Sequence, residues 1–137
     1  RLTGPGGRRE EDETVLECLA REVWEEVNAA IDISTAHHFA SVRYYYPDGH
    51  GHTARWLVHF FEVGKWQGEP QPSKELADLA WFPLFALPYV QMSVDLQFWL
   101  PAYLRDHEPV EVEIRYGDDQ LSHVAHHSSR PLTTSAL

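Results

Sequence analysis

Gly7-Arg8-Arg9-Glu10-Glu11-Asp12-Glu13-Thr14-Val15-Leu16-Glu17-Cys18-Leu19-Ala20-Arg21-Glu22-Val23-Trp24-Glu25-Glu26-Val27-Asn28-Ala29 is the most informative stretch of this 137-residue chain. From Glu13 to Val27 it reads as a helix. Val15 or Leu16, Leu19, Val23 and Val27 recur at three-to-four spacing and give one apolar face. Asp12 or Thr14 is placed to cap its start, and Asn28 suits the left-handed position that ends it. Glu22, Glu25 and Glu26 stand at i, i+3 and i+4, within an arc of roughly 100° on one face. Like charges so spaced destabilise an isolated helix by a few tenths of a kcal/mol per pair. A hard divalent cation held by oxygens would offset that; the plain alternative is a solvated acidic face. Arg21 reaches Glu25 at i+4 and Glu17 at i−4, which would hold a carboxylate in place. The preceding Gly4-Pro5-Gly6-Gly7 lets backbone come close to phosphate oxygens or metal-bound water, which makes Gly6 and Gly7 candidate substrate contacts.

Working outward, a chain of this length suits one domain. Its apolar fraction of 43%, with five Trp, six Tyr and six Phe, is enough for a core. Asp and Glu outnumber Lys and Arg by 21 to 11, a formal charge of −10. Arg8-Arg9 is a single basic pair followed at once by acids, so no basic stripe exists for a nucleic-acid polymer. A small phosphate compound fits, because a bound divalent cation reverses the local sign of charge. No apolar run reaches about 18 residues, so no membrane span is expected. The longest candidate, Leu79–Leu87, is broken by Pro83. Cys18 is the only cysteine, which suits a reducing compartment such as the cytoplasm. No secretory signal is visible, and the lack of an initial Met leaves the protein's true beginning open.

The remaining pattern is mixed. Arg1–Asp12 reads as a loop. Phe39–Tyr46 and Thr53–Val63 read as strands joined into a hairpin by Pro47-Asp48-Gly49-His50-Gly51. Gly68–Ser73 is a loop, Leu79–Leu84 a short strand, and Met92–Leu104 a helix with Pro101 inside it or ending it. Val110–Tyr116 alternates apolar and charged residues as a strand does. Gly117-Asp118-Asp119 turns the chain and Gln120–Ala125 returns it. Ser128–Leu137 reads as a flexible tail. Strands mixed with two helices point to an α/β or α+β class.

The spacing from Gly7 resembles the Nudix box. That pattern is Gly, five residues, Glu, seven residues, Arg-Glu, an aliphatic residue, any residue, Glu-Glu, any residue, Gly and an aliphatic residue. Gly7, Glu13 and Arg21-Glu22-Val23-Trp24-Glu25-Glu26-Val27 meet it in turn. Asn28 replaces the last Gly, a mild change because Asn tolerates the left-handed region, and Ala29 is a small version of the final position. The resemblance implies an α/β Nudix-type α/β/α sandwich with a mixed sheet. It implies Mg²⁺ or Mn²⁺ bound by Glu22, Glu25 and Glu26, with Arg21 and Glu13 orienting them. It also implies metal-assisted attack of water on a nucleoside diphosphate linkage. The proton acceptor is open between Glu22 and a loop Glu, for which Glu75 is the choice here. Glu22, Glu25, Arg21 and Glu75 are thus the catalytic candidates.

Further segments keep the order seen in the mammalian-type 8-oxo-dGTP diphosphatases: Arg1–Gly7, Val58-His59-Phe60-Phe61, Gln67-Gly68-Glu69-Pro70, Trp81-Phe82-Pro83-Leu84 and Phe98-Trp99-Leu100-Pro101. In that subfamily an Asn, an aromatic residue and two adjacent acids hold the oxidised base. The matching positions here are Thr3, Ser93, Asp95 and Leu96. Thr3 and Asp95 remain candidate substrate contacts; Asp95 also reads as a helix N-terminal acid. The family carries sheet strand before its glycine loop, so the domain, taken as 1–127 with a tail at 128–137, is expected to be incomplete at its N-terminus and to lack that strand here. A nucleoside triphosphate, with an oxidised purine as one hypothesis, is the expected substrate. Sugar nucleotides and dinucleotides are the alternatives within the class, and a non-catalytic nucleotide-binding module is the alternative outside it. The oligomeric state is open, a homodimer included.

Other features weigh less. Nine His invite a metal reading, but His37-His38, His50-Gly51-His52 and His126-His127 lack the spacing of a zinc site. His59, mid-strand, reads as a packed core or pocket-lining residue, and Trp24 as packing. Tyr44-Tyr45-Tyr46 alternates faces along a strand, better suited to core than to pocket. Neither a nucleophile elbow nor a Walker loop is present.

Overall fold

In a computed structural model of the chain, residues 1–133 are described. Helix α1 (Val15–Val27) is followed by β1 (Ala30–Ile31), β2 (Ala36–Pro47), β3 (Thr53–Val63), β4 (Trp66–Gln67), α2 (Leu96–Asp106), β5 (Val110–Tyr116) and β6 (Val124–Pro131), with short 3₁₀ turns at Ile33–Thr35, Leu84–Ala86 and Tyr89–Gln91. The chain divides into two compact units. Among the described residues, one holds Arg1–Leu2, His38–Phe61 and 83–133; the other holds Thr3–His37 and Glu62–Phe82.

The first unit is built on a four-stranded mixed sheet of order β3-β2-β5-β6. β2 runs parallel to β5, with Ala40 opposite Val110 and Tyr45 opposite Arg115. β5 and β6 are antiparallel. The β2–β3 turn is set by Asp48, whose Oδ1 accepts from the backbone N–H of His50 at 2.7 Å and His52 at 3.1 Å. Gly49 and Gly51 supply the positive φ, at 83° and 84°, that such a tight turn requires. Phe39, Val42, Val112, Ile114 and Tyr116 from the strands meet Trp99 and Tyr103 of α2 in one buried cluster. Phe39 stacks on Tyr103 at 4.4 Å and Phe60 meets Trp99 edge-on at 5.1 Å. Val42 and Ile114 are fully buried, each worth about 1.5–3 kcal/mol of transfer free energy. Pro101 lies inside α2, on its exposed side.

The second unit centres on α1. Thr14 caps it in a full capping box with Glu17. Asn28 ends it in the left-handed region, φ 58° and ψ 34°, donating its N–H to Trp24 O at 3.0 Å. Val23, Val27 and Ala29 are buried with Leu19, Ile31 and Leu76 packed against them. β1 and β4 pair antiparallel.

Several elements differ from the sequence reading. Leu79–Leu84 is not a strand. Pro83 has no N–H to give a ladder, and its carbonyl instead accepts from Ala86 N at 3.0 Å in a 3₁₀ turn. The returning strand is Val124–Pro131 and not Gln120–Ala125. It carries Ser128–Pro131, expected as tail, into full register with Val110–Glu113. These residues are polar because they are exposed along a sheet edge. The rest of the expected tail, 134–137, lies outside the described residues. Helix α2 starts at Leu96, four residues later than expected, because Met92 and Ser93 are extended or bent after the 3₁₀ turn. The α/β class with a mixed sheet and two helices is as expected.

Candidate functional site

In the second unit, backbone and helix converge on one carboxylate group. Ligand oxygens of Glu22, Glu26 and Glu75 lie within 4.8 Å of one another. Glu22 and Glu26 come from α1 and are buried, while Glu75 is exposed on the loop after β4. That loop is held near α1 by Gln71 N–H donating to Val27 O at 2.8 Å and by Leu76 packing on the α1 cluster. Ser73 accepts the N–H groups of Glu75 and Leu76, each at 3.2 Å, and so fixes the turn that presents Glu75.

Gly6 and Gly7 approach the same group. Gly6 N–H donates to Glu26 Oε2 at 3.2 Å. A Cβ on Gly7 would stand 2.5 Å from Glu22 Cδ and Oε1, so the glycine leaves room for that carboxylate. Thr3 is exposed at the start of this loop, its hydroxyl donating to Gly4 O at 3.2 Å.

Arg21 organises the flank. It grips Glu13 with two parallel bonds, Nε to Oε2 at 2.7 Å and Nη2 to Oε1 at 3.0 Å. Its Nη1 donates to Glu22 Oε1 at 2.8 Å and to Glu25 Oε2 at 3.3 Å. The Arg21 guanidinium, helped by the Glu10 backbone N–H, lowers the Glu13 carboxyl to about 2. Burial pushes Glu26 above the ordinary carboxylate range, and the negative charges of Glu22 and Glu75 push it the same way against the opposing Gly6 N–H. Cys18 is buried beneath this loop, its thiol donating to Gly7 O at 3.6 Å and raised by burial.

The three-carboxylate group is made of hard, closely spaced oxygens on a backbone cradle, and one member, Glu26, is destabilised as an anion by burial and by the charges of the other two. That is the donor set a small oxygen-seeking divalent cation takes. Of the residues expected to bind metal, Glu22 and Glu26 are brought together. Glu25 is not in the group; half-exposed, it faces Arg21. Glu75, expected only as a proton acceptor, stands among the ligand oxygens.

Asp95 belongs to the first unit and is fully buried. Its Oδ1 accepts from Ser93 Oγ at 2.6 Å and Tyr116 Oη at 2.9 Å. Its Oδ2 accepts from Tyr44 Oη at 2.8 Å and Trp99 Nε1 at 3.0 Å. It stands at the N-cap position of α2, as the helix N-terminal reading has it, but its side chain makes no capping bond to the helix backbone. Burial raises both tyrosines, Tyr116 to about 12 and Tyr44 further. No sequence signal announces this node, since its members are spread from residue 44 to residue 116. From sequence, Tyr44 reads only as core or pocket.

The sequence model described as NUDIX domain matches residues 1–101. Among curated proteins the chain is 30% identical over 102 residues to the oxidized purine nucleoside triphosphate hydrolase of Danio rerio, covering 74% of this chain and 62% of that one. It is 29% identical over 105 residues to the protein of the same name from Mus musculus, covering 77% and 64%. The chain thus spans less than two thirds of the length of either relative. Among solved structures it is similar to a mutator MutT protein from Bacillus halodurans, with a TM-score of 0.76 over 94% of this chain and 82% of that one. At 19% identity that likeness speaks to the fold.

Proposed function

The chain belongs to the Nudix family, and from that membership we propose that it hydrolyses a nucleoside triphosphate to the monophosphate and pyrophosphate, with Mg²⁺ or Mn²⁺ as cofactor. The observation that carries the reading is the convergence of Glu22, Glu26 and Glu75 on one small volume beside Gly6 and Gly7. We take the chain through the end of β6, residues 1–131, as one Nudix domain and assign it to the cytoplasm on the single thiol of Cys18. An oxidised purine is the base we favour, because both curated relatives carry that substrate in their names.

A cation held by Glu22, Glu26 and Glu75, when bound, neutralises charge on the diphosphate and acidifies water. The chain's own residues do the rest. Arg21 keeps Glu22 and Glu25 pointed by direct hydrogen bonds while its other edge is locked on Glu13. Gly7 keeps the space into which Glu22 projects. Water attacks one phosphorus, a P–O bond forms, and the bridging P–O bond breaks with its electron pair on the departing pyrophosphate. The proton of that water passes to a carboxylate oxygen, for which we choose Glu75, the exposed member of the group.

The test is a product-resolved hydrolysis screen with Mg²⁺ over nucleoside triphosphates (8-oxo-dGTP among them), dinucleotides and nucleotide sugars. Monophosphate plus pyrophosphate from a triphosphate supports the reading. Turnover of a dinucleotide or sugar nucleotide alone moves the substrate within the class. Tight binding of a nucleotide with no product from any compound would replace the enzyme by a binding module.

A further inference from the structure

We propose that Asp95 is a buried pin between α2 and the sheet and takes no part in reading a nucleobase. Discrimination between an oxidised and an ordinary purine then does not run through this carboxylate. For its substrate the inference rests on the hydrolysis proposed above. An ionised carboxylate accepts about four hydrogen bonds, two on each oxygen. In Asp95 all four positions are filled, by Ser93 and Tyr116 on one oxygen and by Tyr44 and Trp99 on the other. The donors come from β2, β5, α2 and the turn before it, so the carboxylate joins four parts of the first unit through contacts of 2.6–3.0 Å. It has no solvent-exposed surface. For Asp95 to accept a base N–H, one buried hydroxyl or indole donor would have to lose its acceptor. A protonated Asp95 would do no better, because four donors already face it. The next residue, Leu96, brings no second carboxyl group.

The experiment compares kcat/KM for 8-oxo-dGTP and dGTP in the full chain and in Asp95→Asn, alongside thermal unfolding. The substituted amide keeps the size but presents an NH₂ to donors. The expected result is a Tm lower by more than about 5 °C and a preference ratio within about threefold of the unsubstituted protein. A ratio changed by roughly tenfold or more, with Tm preserved, would overturn the proposal. If Asp95→Asn does not fold, the unsubstituted protein labelled with ¹³C at the aspartate carboxyl decides. Trp99→Phe assigns the Asp95 resonance. Nucleotide addition leaves that resonance in place if Asp95 is a pin and moves it if Asp95 meets the base. If the unsubstituted protein cleaves no nucleotide, the functional reading fails by itself. The pin is then judged on Tm, and an Asp95→Asn as stable as the unsubstituted protein would end it.

Discussion

Gly7 and Glu22 share one space: the position a Cβ on residue 7 would take is 2.5 Å from the Glu22 carboxylate. The glycine is therefore required by a neighbour and not by its own backbone angles. Gly7→Ala is expected to push aside the flexible end of Glu22, with little effect on the fold. A displacement of about 1 Å in a catalytic group costs on the order of 100-fold in rate. Steady-state turnover, with circular dichroism to check the fold, tests this; an alanine variant retaining full turnover would separate Glu22 from the chemistry.

Glu26→Gln removes one of three like charges while an amide oxygen can still accept from Gly6 N–H. In the presence of a chelator the variant should be at least as stable as the unsubstituted protein. With Mg²⁺ its turnover should fall by about 1000-fold or more. Glu25→Gln should also lower turnover, as a member of the box held on Arg21. Thermal melts with EDTA, paired with Mg²⁺ kinetics, read both halves of the prediction. A large loss of Tm in EDTA would show Glu26 to be a structural carboxylate instead.

Acid should loosen the Arg21 flank within a defined window. The Glu13 carboxyl has a folded value of about 2 against an ordinary 4.5. A lowered value means that its stabilisation is present above pH 4.5 and is lost as pH falls toward 2. Glu13→Gln should therefore lower Tm at neutral pH and show a shallower fall in Tm across that window. Equal slopes for both proteins would show that the Glu13–Arg21 pair contributes nothing to stability in solution.

At the alkaline end the tyrosines of the Asp95 node set the limit. Tyr116 is raised to about 12 and Tyr44 is raised as well. A raised value means that stability is intact below pH 10 and declines as pH climbs through the folded values. Absorbance at the phenolate band should show Tyr44 and Tyr116 ionising late, with Tyr89 also delayed by its burial, and the late phase should bring loss of far-UV helix signal. In Tyr116→Phe one of the late ionisations should be missing.

The legible parts of this chain are those fixed by neighbours in sequence. The Glu22, Glu25, Glu26 spacing, the Asn28 stop and the β2–β3 turn all follow from residues a few positions apart, and all lie where the sequence reading puts them. Glu75 is readable as a loop acid but not as a partner of Glu22 and Glu26. Its place depends on Gln71 and Leu76 docking against α1. β1 and β4 are two residues each, too short for any periodicity to register. Leu79–Leu84 reads as a strand because it is apolar. Its exposure, with Trp81 three-quarters open to solvent and stacked on Trp66, shows that apolarity alone does not make a ladder. The Asp95 node is hidden for the opposite reason: its place at the start of a helix is legible, but its four donors are scattered from residue 44 to residue 116.

The parallel pairing of β2 with β5 sets a schedule for assembly. Residue 40 finds its partner only at residue 110, and the core cluster needs α2 between them. While the chain is being made, the β2–β3 hairpin must wait with Phe39, Val42 and Phe60 uncovered until the last quarter of the sequence emerges. Contacts this distant in sequence form slowly and leave apolar strand exposed to other chains in the meantime. Yield and solubility should therefore respond to changes in β5 well before catalysis does, even though β5 contributes no member to the carboxylate group.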